Sequence, residues 1–272
     1  MSMDQIARDG LVLLGCGKMG SALLAGWLDQ GLPAASVWVI DPKPSDWVRQ
    51  TGVNVNVALP GAPAIVLIAV KPQMMGEALP QIAAMGQGDT LFLSIAAGTT
   101  IEAFEAAFGA KTPIIRSMPN TPAAVAQGIT AIIGNEHATP AQLDTAEMLL
   151  EAVGDVVRLE HEDQMDAVTG VSGSGPAYVF HMIECLAAAA EDQGFSPELA
   201  LRLAKATVAG AGALAMKADE APSQLRVNVT SPNGTTQAGL EVLMDADTGL
   251  PPLMKQTVAA ATNRSKELRD GG

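Results

Sequence analysis

The chain has 272 residues, 48% of them hydrophobic and 17% charged, and a formal net charge of −13. That is enough apolar material for one large domain or two ordinary ones, and it excludes a mostly disordered chain. So acidic a surface repels nucleic acid and anionic membranes, so neither is an expected partner, although backbone N–H groups can still hold a small anion locally.

Short apolar runs alternate with helical patterns through the first half. Residues 11–15 predict a buried strand and residues 19–30 a helix closed by Gly31. Residues 37–40, 64–70 and 90–95 predict three more strands, the second of them stopped by Lys71 and Pro72. A helix follows over residues 100–108, then strands at 113–116 and 129–134. Thr139 and Pro140 open another helix as N-cap and first helical residue. Strands alternating with helices predict a parallel sheet covered on both faces. Beyond about His161 the strand signals stop, and residues 175–192 and 197–217 predict two long helices rich in Ala and Gly. Small faces suit a tight bundle; the same Ala content also follows from helix propensity alone. Residues 264–272 predict a frayed tail.

Cys16 and Cys185 stand far apart, and His137, His161 and His181 lack ligand spacing, so neither a metal site nor a disulfide scaffold is expected. The first ten residues carry Asp4 and Asp9 and no apolar core, which predicts no signal peptide. The longest apolar run, residues 64–70, falls well short of the roughly 20 residues of a spanning helix. A soluble, cytoplasmic protein is expected.

Gly15-Cys16-Gly17-Lys18-Met19-Gly20 fits G-x-G-x-x-G, directly after a predicted strand and opening a predicted helix. In that context the motif predicts a dinucleotide site. Gly15 permits the turn, Gly17 admits the pyrophosphate, and Gly20 lets helix and strand pack. Asp41 ends the second strand, where a carboxylate binds ribose hydroxyls and favours NADH. The nearby Lys43 can instead pair with a 2′-phosphate, and Asp41 also suits a plain turn before Pro42; the reading leans to NADH or dual use. Lys71 and Pro72 lie at a strand end lining the expected crevice, where a simply solvated Lys is the plainer reading.

Four further segments stand out: residues 117–122, 172–178, 219–226 and 229–236. In the last, hydroxyls and Gly lead into an amphipathic run, as at a helix N-terminus suited to a carboxylate. An ordinary cap by Thr235 or Thr236 explains the same pattern. Together with the Gly-rich turn and residues 69–72, these segments resemble the pyrroline-5-carboxylate reductase family in order and spacing, from about Leu11 to about Leu243.

The resemblance implies an α/β fold: an N-terminal Rossmann doubly wound parallel sheet over residues 1–161 and a C-terminal all-helical dimerisation domain over 162–272. It implies hydride transfer from NADPH or NADH to 1-pyrroline-5-carboxylate, giving L-proline, by a homodimer or ring of dimers. Carried over by position, Gly15, Gly17, Lys18, Met19 and Gly20 hold the cofactor phosphates, and Ala69, Val70, Lys71 and Pro72 line the dinucleotide. Met118, Pro119 and Asn120 approach the nicotinamide. Ser231, with the N–H groups of Gly234 and Thr235, holds the substrate carboxylate; Thr236 bonds the ring nitrogen, and Asp219 stands near the amine. The family's first loop Gly is Asn233 here, which puts substrate preference in question, and residues 54–62 are too short to place its adenosine-side Asn. The alternatives are a reductase of another cyclic imine carboxylate, a β-hydroxyacid-type dehydrogenase using Lys205 or Lys217, and a non-catalytic dinucleotide-binding regulator.

Overall fold

The computed structural model describes residues 1–269. Helix α1 (Met3–Asp9) leads into β1 (Leu11–Leu14), α2 (Lys18–Asp29), β2 (Val37–Ile40), α3 (Asp46–Gln50), β3 (Asn54–Val55), β4 (Ile65–Ile68), α4 (Met75–Ala78) and β5 (Leu91–Ser94). Then come α5 (Ile101–Phe108), β6 (Ile114–Met118), β7 (Gly128–Gly134), α6 (Pro140–Leu150), β8 (Gly154–Arg158) and α7 (Gln164–Val168). Five helices follow: α8 (Gly175–Asp192), α9 (Pro197–Lys217), α10 (Pro222–Asn228), α11 (Thr235–Leu243) and α12 (Leu250–Arg269).

The eight strands form one sheet in the order β3-β2-β1-β4-β5-β6-β7-β8. β1, β4 and β5 are buried along their whole length, as the continuous apolar runs of a covered parallel sheet demand. Period-two alternation sorts their side chains into two cores. Leu11, Leu13, Ile65, Leu67, Leu91 and Leu93 face α2 and α6 through Leu23, Trp27 and Leu149. Val12, Leu14, Val66, Ile68 and Phe92 face Met75, Ile82, Phe104 and Phe108 on the other side. Trp27 fits its polar end into the first core by donating to the Leu149 carbonyl at 2.8 Å.

The sheet departs from the all-parallel expectation at β7, which runs antiparallel to β6, while β8 is parallel to β7. The link between β6 and β7, residues 119–127, is shorter than the dozen or so residues of a parallel crossover, so the chain returns antiparallel. β8 carries exposed residues and borders only β7, so it lacks the apolar run that marks the central strands.

By contacts the chain divides into two compact units, one of residues 1–173 with the chain from Ala261 onward, the other Ser174–Ala260. The tail expected to fray is helical through Arg269; residues 270–272 lie outside the described residues. Its order has a clear cause in the first unit. The buried Asp166 carboxylate accepts from the Ser265 hydroxyl at 2.7 Å and from the Arg269 guanidinium at 2.5 Å. A buried carboxylate without such donors would be costly.

In the second unit Ala187, Ala200 and Ala204 are buried and let α8 and α9 approach closely. Ser196 caps α9, with Pro197 in its first turn. Gly210 and Gly212 meet nothing, so close packing within the chain does not account for them. Large apolar residues remain exposed, among them Phe180 (59%), Met216 (81%) and Val242 (77%). α9 is long and apolar enough to cross a membrane by length and composition alone, and it carries Glu198, Arg202, Lys205 and Lys217 along its length.

Candidate functional site

In the first unit, the carboxyl ends of β1, β2, β4 and β6 bring together the residues singled out in the sequence. β1 runs between β2 and β4, so the connections leave its two sides in opposite directions, and at such a point an open sheet forms a crevice. Gly15 turns the chain there at φ +88, donating its N–H to the Ile40 carbonyl at 2.7 Å. A Cβ at Gly15 would lie 2.8 Å from Val70 Cγ1 and 2.9 Å from the Ala69 carbonyl oxygen, so no other residue fits. Gly20, one turn into α2, similarly lies against the Gly15 carbonyl.

Gly17 is different. It is the N-cap of α2, exposed, with φ −72, and nothing lies within 4 Å of where its Cβ would be. No side chain caps the helix. The first-turn N–H groups and the positive end of the helix dipole therefore face an open cradle that a phosphate fits.

Asp41 follows β2 directly. One of its carboxylate oxygens accepts from the Cys16 N–H at 2.7 Å and the other from the Lys43 N–H at 2.7 Å. Asn56 grips the Asp41 backbone, accepting its N–H at 3.0 Å and donating to its carbonyl at 2.8 Å. Asn56 has φ +52 and was not singled out from the sequence; an Asn just past a short edge strand was the available signal. Burial pushes the Cys16 thiol up, the Ser21 hydroxyl partly offsets this, and the negative Asp41 adds to it. Lys71 and Pro72 are exposed at the end of β4, while Ala69 and Val70 pack against the Gly15 turn.

At the end of β6, Met118 is half-buried and Pro119 and Asn120 are buried. The Asn120 amide accepts from the Ile129 N–H at 3.0 Å and donates to the Ser172 carbonyl at 3.1 Å. It thereby ties the β6 end to a single π-helical stretch, Thr169–Gly173, a geometry enriched at functional sites. A partly buried ion pair supports this region: the Arg116 guanidinium donates to Glu162, whose same oxygen also accepts the Ile101 N–H at 2.8 Å.

In the second unit, residues 229–234 form a turn ahead of α11. Asn233 adopts the left-handed conformation, φ +57, that a Gly would take without cost. The Asn substitution therefore leaves the turn intact. A Cβ at Gly234 would overlap the Ser231 hydroxyl, so the loop closes tightly only with Gly there. Gly234 is itself the N-cap of α11, and no side chain caps it, so the ordinary Thr235 or Thr236 cap is absent. Ser231, Thr235 and Thr236 are exposed around that helix end. Among the described residues no hydrogen bond or ion pair links Asp219 to them. An open groove of about 490 Å³ lies beside the loop between α10 and α11, lined by Val227, Thr230, Leu240 and Met244 among others, and Ser231, Gly234, Thr235 and Thr236 do not line it.

The sequence model of a family described as pyrroline-5-carboxylate reductase dimerisation matches residues 162–268, and one described as NADP oxidoreductase, coenzyme F420-dependent, matches residues 11–98. A pyrroline-5-carboxylate reductase of Pseudomonas aeruginosa is 37% identical over 266 residues, covering 96% of this chain and 97% of that protein. One from Methanosarcina acetivorans is 37% identical, covering 94% and 96%. Among solved structures, a pyrroline-5-carboxylate reductase from Coxiella burnetii superposes with a TM-score of 0.90 at 32% identity, covering 96% of this chain and 98% of its own. A Plasmodium falciparum pyrroline carboxylate reductase with NADP bound does so at 0.82 and 29% identity, covering 97% and 99%.

Proposed function

The chain belongs to the pyrroline-5-carboxylate reductase family, and from that premise we propose that it reduces 1-pyrroline-5-carboxylate to L-proline, in proline biosynthesis, with NADPH or NADH. The bound dinucleotide supplies the hydride. The protein's own residues position, anchor and shield.

Gly15, Gly17, Lys18, Met19 and Gly20 hold the pyrophosphate at the uncapped start of α2, and Asp41 takes the adenosine ribose. Ala69, Val70, Lys71 and Pro72 line the dinucleotide's path along the sheet edge. Met118 and Pro119 flank the nicotinamide end, which Asn120 steadies through its bonds to Ile129 and Ser172. In the second unit, the Ser231 hydroxyl and the N–H groups of Gly234 and Thr235 hold the substrate carboxylate. Thr236 hydrogen-bonds the ring nitrogen, and Asp219 adds negative charge near the amine. A protonated imine is already electrophilic, so orientation contributes more here than a strong acid. That suits a loop with no His or Cys in it.

The observation that carries the reading is the start of α11: a helix of nine residues with no side-chain cap, behind a turn closed by Ser231 and Gly234. We also propose a soluble, cytoplasmic homodimer or ring of dimers, in which α8 and α9 cover their exposed apolar faces against a second copy. The match to a dimerisation family supports this. The test is oxidation of NADH and of NADPH with 1-pyrroline-5-carboxylate at equal protein. Turnover with either supports the reading; none with either, from protein that binds a dinucleotide, refutes it.

A further inference from the structure

We infer that this chain selects the dinucleotide lacking a 2′-phosphate, and that the Asp41 carboxylate is the selecting group. The inference rests on the dinucleotide-binding part of the reading above.

Asp41 stands at the carboxyl end of β2, where a doubly wound sheet meets the adenosine ribose. A turn carboxylate free to rotate would swing away from an unwelcome phosphate. This one is fixed at four points. The Cys16 and Lys43 N–H groups each hold one oxygen, at 2.7 Å, and Asn56 holds the Asp41 main chain on both its N–H and carbonyl sides. Asn56 keeps a left-handed backbone to do so.

The bonding leaves acceptor capacity to spare. A carboxylate has about four lone-pair sites, and the two N–H groups occupy one on each oxygen. The remaining sites suit ribose hydroxyls, which donate. A 2′-phosphate offers no donor and brings roughly −1.5 to −2 charges against a carboxylate that cannot retreat. Among the described residues no Lys or Arg forms a direct ion pair with Asp41. Lys43 is exposed, and its own N–H belongs to the Asp41 turn. The carboxylate also reaches the phosphate cradle itself, because Cys16 lies inside the Gly-rich turn. Ribose choice and phosphate turn are thus one hydrogen-bonded unit.

The test is equilibrium titration of the full chain with NADH and with NADPH, followed by nicotinamide fluorescence. Competition by ADP-ribose and by its 2′-phosphorylated form isolates the adenosine end. NADH should bind about 10-fold or more tightly than NADPH, the order expected for one fixed charge repelling another in a partly solvated site. Asp41→Asn removes the charge and keeps one acceptor oxygen, and should bring the ratio towards parity. Lys43→Ala should leave the preference for NADH standing. Equal or tighter NADPH binding by the native chain overturns the inference, as does an unchanged ratio in Asp41→Asn. If Asp41→Asn fails to fold, the native ratio and the Lys43→Ala ratio still decide. Binding of neither dinucleotide would instead overturn the dinucleotide reading on which this rests.

Discussion

Two glycines two residues apart in the same turn should respond to the same methyl group in opposite ways. At Gly17 the backbone is already at φ −72, and a Cβ meets nothing within 4 Å. Gly17→Ala should therefore fold almost normally. Its cost is the poorer N-cap, about 0.5–1 kcal/mol. The methyl would instead project into the cradle and hold a phosphate off the first-turn N–H groups. Losing one charge-assisted hydrogen bond, about 1.5–3 kcal/mol, corresponds to about 10- to 100-fold weaker dinucleotide binding. At Gly15, φ is +88 and the methyl runs into Val70 and the Ala69 carbonyl. The left-handed backbone alone costs an Ala about 1–2 kcal/mol, and the clash with backbone adds more. Gly15→Ala should lose about 2–4 kcal/mol of stability by these two effects together. Urea unfolding and dinucleotide titration, run on both variants, separate the effects. A Gly17→Ala protein that binds normally, or a Gly15→Ala protein of native stability, would refute the assignment of the turn.

Glu162→Ala should destabilise the first unit by about 2–3 kcal/mol, since it strands the buried Arg116 guanidinium and the Ile101 N–H; Glu162 is one-third exposed, so the full cost of a buried pair is discounted. Urea unfolding checks it. Thr236→Ala should lower kcat while leaving dinucleotide affinity within about twofold, as loss of one positioning hydrogen bond predicts; an unchanged kcat would remove Thr236 from the proposed chemistry. Asn233→Gly should leave substrate KM and stability close to native, whereas Asn233→Val should cost about 1–2 kcal/mol, because φ +57 suits Gly and disfavours a branched side chain. Burial holds the Cys16 thiol protonated above its ordinary range, so Cys16 should resist alkylation near pH 8 in the folded chain and react once urea unfolds it. The sign follows: the folded state keeps the Cys16 proton longer than the unfolded chain, so this group's contribution to stability is lost as pH rises past the unfolded thiol's value.

The central strands were legible because they are apolar on both faces, and the long helices because Ser196 with Pro197 and Thr139 with Pro140 mark their starts. β8 was not, since three of its five residues are exposed and its partner is a single strand. The reversal at β7 was implicit in the short link before it but invisible to hydrophobic patterning, which carries no direction. In the site, the glycine motif announced the tight turn at Gly15 and the uncapped start of α2. Asn56 and the double grip on Asp41 depend on a left-handed backbone and on residues 15 positions apart meeting in space, which no local pattern encodes. The sequence placed Asn120 near the nicotinamide end but carried no sign of its bonds to Ile129 and Ser172, residues 9 and 52 positions away. The order of the residues near Arg269 depends on Asp166, 99 positions before Ser265 in the chain.

That last contact gives synthesis a timetable. At about 5–20 residues per second, roughly 5–20 s separate translation of Asp166 from translation of Ser265. Throughout that interval the nascent first unit carries a carboxylate whose donors do not yet exist. Its sheet can assemble during elongation, but the segment around α7 completes its hydrogen bonding only once the second unit has been made. A stall anywhere in α8 to α11 would leave on the ribosome a first unit with its strands in place and the Asp166 carboxylate still without its Ser265 and Arg269 donors.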